Sequence, residues 1–182
     1  MLTNSVLNRM GCRTIPRSRS SSANTRHDRE HELGEQGYTF LAEGCFGVVY
    51  RKGSSNRVVK IGHSYDAWLQ YARYILDVAP KSPHLPTIHY LDQHINWYET
   101  ELDFLHEVPY NNNRWRKQVD YVEGTIEWND DVPTKGIPKS LVTTTRNIST
   151  HFNNKSMGYD FCSENAMLRK VGKVQHLVIN DP

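Results

Sequence analysis

In the 182-residue chain, Asp160 is followed five positions later by Asn165, and Asp181 follows the apolar run that ends at Ile179. Asn165 and Asp181 offer hard oxygen ligands of the kind Mg²⁺ takes when it bridges phosphates. Asp160 adds a carboxylate able to accept or orient the proton of an attacking hydroxyl. Taken singly, Asp and Asn in loops serve mostly as turn and cap residues. Two other places ask for an anion. In Val58-Val59-Lys60-Ile61 the lysine is flanked by apolar residues, so its ammonium faces inward from a strand. An unpaired charge there is costly, and phosphate oxygens would satisfy it; the alternative is a stem that snorkels to water. Upstream, Ala42-Glu43-Gly44-Cys45-Phe46-Gly47-Val48-Val49 sets Gly44 and Gly47 between two strand patterns. A glycine hairpin lets backbone N–H groups approach phosphate closely, although paired glycines in a turn are most often structural.

These residues need elements to position them. Residues 38–41, 47–51 and 57–61 read as three strands joined by turns at 43–46 and 53–56, an antiparallel meander. Residues 66–78 carry Trp68, Tyr71, Ala72, Ile75 and Val78 at helical spacing, and the prolines at 80, 83 and 86 stop that helix. Two strands follow at 88–94 and 97–102. The stretch 107–138, with its Asn111-Asn112-Asn113 run and three prolines, reads as loops around short pieces of structure. Residues 140–152 return to helical spacing, and 166–169 with 174–179 flank Gly172 as a hairpin. The fold class is therefore α+β.

Composition narrows the classes. No window approaches eighteen consecutive apolar residues, which argues against a membrane-spanning helix. Cys12, Cys45 and Cys162 have neither disulfide-framework nor zinc-ligand spacing, so a reducing compartment is the simpler expectation. A net charge of +2 argues against a general nucleic-acid binder. The charge is uneven: residues 1–27 hold five of the 22 basic residues and no acid, leaving 17 against 20 acids, or −3, for residues 28–182. With the Ser18-Arg19-Ser20-Ser21-Ser22 run, residues 1–36 read as a disordered basic arm; a transit peptide shares that composition. Trp115 among Arg114, Arg116 and Lys117 could stack on and pair with nucleic acid, though a surface helix is the commoner meaning of such a cluster.

The order of parts is more specific than any one of them. A glycine hairpin, a strand lysine, a helix, two strands, an Asp-x4-Asn loop and a hairpin ending in Asp is the order of the protein-kinase motifs. The sequence resembles that family and, in residues 56–62, 160–167 and 178–182, the early Ser/Thr protein kinases of lytic short-tailed phages. Asp181-Pro182, where most kinases have Asp-Phe-Gly, is part of that likeness. The resemblance implies a kinase-like domain over 37–182, with a small antiparallel β lobe at 37–102 and a reduced, truncated helical lobe at 103–182 that stops beside the metal-binding aspartate.

The resemblance also implies roles. Gly44 and Gly47 cover the phosphates of ATP, Lys60 pairs with its α- and β-phosphates, and Val49 and Ala42 pack near the nucleotide. The backbone of Thr100-Glu101-Leu102-Asp103, with Glu101 and Asp103 named as cofactor-binding residues, meets adenine. Asp160 is the catalytic base or orients the hydroxyl, and Asn165 and Asp181 hold Mg²⁺. The helix at 66–78 has no glutamate, so the usual partner of the strand lysine is Asp66, Asp77 or Gln70, or is absent. Gly158-Tyr159 replaces the usual His-Arg, which speaks against control by a phosphorylated activation loop. The implied partners are host proteins, transcription machinery included, modified in the host cytoplasm during takeover, with no membrane and no nucleic acid. An inactive kinase-fold module that binds and inhibits a host protein is the alternative, and a small-molecule phosphotransferase a third.

Overall fold

The computed structural model describes residues 25–128, 132–153, 161 and 163–181. They form two compact units: residues 25–78 with 87–104, and residues 79–86 with 105–181. The first unit runs to Phe104, and the proline-rich segment 79–86 belongs with the second unit.

Unit one is built on an antiparallel sheet of five strands, β1 (Thr39–Glu43), β2 (Gly47–Arg51), β3 (Arg57–His63), β4 (Ile88–Gln93) and β5 (Trp97–Asp103), in the order β1-β2-β3-β5-β4. The β-branched run of β3 suits a central strand that is covered on both faces. Strand register puts Ala42, Val49, Lys60, Thr100 and Leu91 on one rung across all five strands. Because side chains alternate across a sheet, Val48, Val59, Ile61 and Trp97 fall on the other face.

A helix packs on each face. On the face away from Lys60 lies α1 (Arg26–Glu35), whose Leu33 joins Tyr38, Val48, Val59, Ile61 and Trp97 in a buried cluster. Of the arm expected over residues 1–36, residues 26–35 are thus helical, and residues 1–24 lie outside the described residues. The helix has a single apolar anchor, so its order comes from polar groups. Thr25 caps it, accepting from Asp28 N–H while Asp28 accepts from Thr25 N–H, a reciprocal capping box. Arg29 is fully buried and donates through Nε and NH2 to Glu99 of β5, which also accepts from Tyr90 O–H. On the Lys60 face lies α2 (Ala67–Asp77), with Trp68, Leu69, Tyr71, Ala72 and Tyr74 buried.

Unit two pairs β6 (His106–Glu107), β7 (Ala166–Val171) and β8 (Val174–Ile179) in that order with two helices, α3 (Asn113–Ile126) and α4 (Lys139–Asn153). α3, 14 residues long, is longer than the short pieces of structure expected among the loops of 107–138. Asn112 is its N-cap, accepting from Arg114 N–H at 3.0 Å, and Trp115, Val119, Val122 and Ile126 form its buried stripe. Trp115 is therefore a core residue and cannot stack on a nucleic acid. α4 matches the periodicity at 140–152; its Thr144 and Thr145 hydroxyls donate to Ser140 O and Leu141 O. No helix among the described residues is long and apolar enough to cross a membrane.

Candidate functional site

The glycine hairpin closes as β1 and β2 meet. Gly44 N–H donates to Gly47 O at 2.9 Å, and His63 N–H donates to Phe46 O at 3.0 Å, which ties the tip to the end of β3. At Gly47 a Cβ would fall 2.8 Å from Ile61 O and 3.3 Å from Lys60 Cε, so only glycine lets β2 approach β3 where the lysine stem passes. Gly44 has open space around it. Cys45 beside it is exposed. The rung Ala42-Val49-Lys60 runs beneath this tip, so these expected residues share one face with the hairpin.

Lys60 is 13% exposed at its side chain, and its Nζ lies 3.7 Å from Asp66 Oδ2 and 4.5 Å from the centre of the Trp68 ring. Of the partners open to it from sequence, the structure selects Asp66. This residue is buried at the N-cap of α2, where Oδ1 accepts from Trp68 N–H at 2.9 Å. Its Oδ2 also accepts from Tyr98 O–H at 2.7 Å. Trp68 and Tyr98 stack, 5.5 Å apart and 11° from parallel. Sequence reasoning missed Trp68 and Tyr98. Their signal was local: an Asp directly before a helix is a cap, and a Tyr two positions before Thr100 shares the Lys60 face by alternation.

Glu101 and Asp103 are not brought to that face. Register pairs Glu101 with Val59 and Asp103 with Arg57, which places both on the side of Ile61 rather than Lys60. Glu101 accepts from Arg57 at 2.8 Å, and Asp103 lies 2.7 Å from His89 Nε2. The backbone of Thr100–Leu102 is paired to β3 on one side and β4 on the other, and the N–H groups of Asp103 and Phe104 go to Thr87 O and Asn56 O. Strand pairing thus occupies the main chain that the sequence assigned to adenine.

In unit two, the β7–β8 ladder sets Ala166 opposite Ile179, and Asn180 N–H donates to Asn165 O at 3.0 Å. Asn165, in a single 3₁₀ turn (Ser163–Asn165), and Asp181 are therefore held at the same end of one hairpin, both partly buried. The two hard oxygen donors fit Mg²⁺, which needs only one or two protein ligands beside water and phosphate. Among the described residues no cluster of three or more His, Cys, Asp and Glu could hold a metal ion. Asp160, Cys162 and Gly158-Tyr159 lie outside the described residues.

The segment 79–86 braces that hairpin from behind. Ile179 N–H donates to His84 O at 2.9 Å, His84 Nδ1 lies 2.7 Å from Leu177 O, and its Nε2 lies 2.9 Å from Ser140 Oγ. Burial holds the His84 pKa below the ordinary imidazole value, with nearby His176 and Arg169 pushing the same way against the Leu177 hydrogen bond.

Comparison with known proteins gives this arrangement a context. Residues 11–182 match the model of the family described as bacteriophage T7 protein kinase 0.7. The chain belongs to that family. Among solved structures, the kinase domain of Mycobacterium tuberculosis PknI is similar at 13% identity with a TM-score of 0.42. That likeness covers 80% of this chain, and the chain spans 59% of the PknI domain. Among curated proteins no sequence matches this chain.

Proposed function

We propose that this chain is an ATP- and Mg²⁺-dependent Ser/Thr protein kinase that phosphorylates host proteins in the cytoplasm of the infected cell. The observation that carries the reading is the seating of Lys60. A lysine beneath a glycine hairpin, set in place by a buried carboxylate and an aromatic face, is a positioned cation, and in this reading it also meets an anion. Family membership supports phosphate as that anion.

In this reading Lys60 binds the α- and β-phosphates, and the Gly44–Gly47 hairpin covers them with backbone N–H groups. Val49 and Ala42 line the nucleotide, and adenine meets the main chain that follows β5 rather than Glu101 or Asp103 themselves. Asn165 and Asp181 hold Mg²⁺, which when bound neutralises charge on the transferring phosphoryl group. Asp160 orients the substrate hydroxyl and accepts its proton as that oxygen bonds to the γ-phosphorus and ADP leaves. Catalysis is positioning plus electrostatic stabilisation. The alternative of an inactive binding module is weakened by the intact Lys60–Asp66 pair, since a decayed site has no need of a buried compensated lysine.

The test is incubation with γ-labelled ATP and Mg²⁺ in host lysate, beside the Asp160→Ala chain. Label in protein with the wild type and none with the variant is the expected result. Transfer at full rate by Asp160→Ala refutes the mechanism. A stoichiometric host partner captured equally by wild type and Asp181→Ala, without transfer, favours the binding module.

A further inference from the structure

Lys60, Asp66, Tyr98 and Trp68 close into a ring of contacts: ammonium to carboxylate, carboxylate to phenol, phenol ring to indole, indole to ammonium. The usual kinase design places the lysine's acidic partner within a helix, where it comes and goes as the helix moves. Here the acid stands at the N-cap, and both of its oxygens have fixed donors, Trp68 N–H on Oδ1 and Tyr98 O–H on Oδ2. The carboxylate cannot turn away from Lys60 without giving up one of them. The bond from Tyr98 is charge-assisted and buried, the class of hydrogen bond with the strongest hold on geometry.

We infer that Tyr98 is a positioning residue for Lys60: its hydroxyl fixes the Asp66 carboxylate and its ring backs Trp68, so the ammonium stays presented to phosphate without any movement of α2. The sequence makes room for this. Tyr98 pairs directly with Gly62, and a Cβ there would fall 2.5 Å from Tyr98 Cε1 and Cζ. Gly62 is the notch that lets the ring lie across β3 and bring its hydroxyl to Asp66. A phenylalanine would fill the same volume in this fully buried place, so the hydroxyl is the part that space-filling does not require. The inference rests on the nucleotide reading only for what Lys60 binds.

Tyr98→Phe tests it in the full chain, with two readouts. The first needs no nucleotide: the rate at which an amine-acylating reagent labels Lys60, read by peptide mass spectrometry against the other lysines. Loosening of Asp66 should raise the Lys60 rate severalfold while the melting curve stays cooperative; an unchanged rate overturns the inference. The second is ATP–Mg²⁺ affinity in a cycle with Lys60→Met. Tyr98→Phe should weaken binding about tenfold in the wild type, from loss of one hydrogen bond to a charged group, and have no effect beside Lys60→Met. Equal weakening in both backgrounds would make Tyr98 a part of the sheet's general shape and overturn its action through Lys60. A wild-type chain that binds no ATP–Mg²⁺ refutes the nucleotide reading instead, and the acylation rates then decide the positioning claim alone.

Discussion

The two units hold their candidate site residues in different ways. In unit one the charges are enclosed and matched within the protein: Arg29 against Glu99 on one face of the sheet, Lys60 against Asp66 on the other. In unit two Asn165 and Asp181 are partly exposed at the end of a hairpin whose backbone pairing sets their place. In the proposed reading the difference follows from the ligand each would meet. A buried ammonium must be compensated before any phosphate arrives, or the fold bears its desolvation. Metal ligands must leave coordination positions to water and phosphate, so they stay at the surface. Charge substitutions in unit one should therefore cost stability, and those at the hairpin end of unit two should cost function alone.

The sharpest break of that contrast is Arg29→Ala. It strands Glu99 in the core and should cost about 3–5 kcal/mol in urea unfolding, as for a buried pair that loses one partner. An unchanged midpoint would mean that α1 is not integral to unit one. Next is Asp66→Ala, which removes the Lys60 partner and the cap of α2 together. We expect a loss of about 2–3 kcal/mol and ATP binding weakened about tenfold or more, by denaturation and calorimetry. Asp181→Asn should do the reverse: stability within about 1 kcal/mol of wild type, with the Mg²⁺ dependence of ATP binding gone. A large fall in stability there would erase the distinction between the units.

The smallest effect is one of pH. His84 is buried with its folded pKa below the ordinary value of 6.5. The unfolded chain then binds more protons than the folded chain below about pH 6.5, so stability falls as pH drops through that value and levels off below the folded pKa. His84→Gln should flatten this slope in unit two. A slope that survives the substitution would assign it to other groups.

Much of this was legible because unit one alternates cleanly. The β2, β3 and β5 patterns gave strand bounds correct to two residues, and Lys60 stood out as the polar residue in an apolar run. Two helices were not legible for different reasons. α1 is polar except for Leu33, and what orders it is Glu99, seventy positions away; only the Thr25-x-x-Asp28 capping box announced it. α3 carries its stripe at Trp115, Val119, Val122 and Ile126, but the asparagine run before it reads as loop, although Asn112 is the cap that starts the helix. Within the site, alternation predicts that Tyr98 shares a face with Lys60, whereas its bond to Asp66 depends on the Gly62 notch, a property of strand register. The same register moved Glu101 and Asp103 to the far face. No pattern in β5 alone could have shown that, since which face is which depends on where α1 and α2 pack.

The central proposal is that Lys60, and Asn165 with Asp181, serve phosphoryl transfer. It is tested most directly by the rate of γ-phosphate transfer from ATP–Mg²⁺ to protein by the wild type, Lys60→Met and Asp181→Asn side by side. The account predicts transfer by the wild type and a loss of about a hundredfold or more in each variant. Transfer at the wild-type rate in either variant would contradict it.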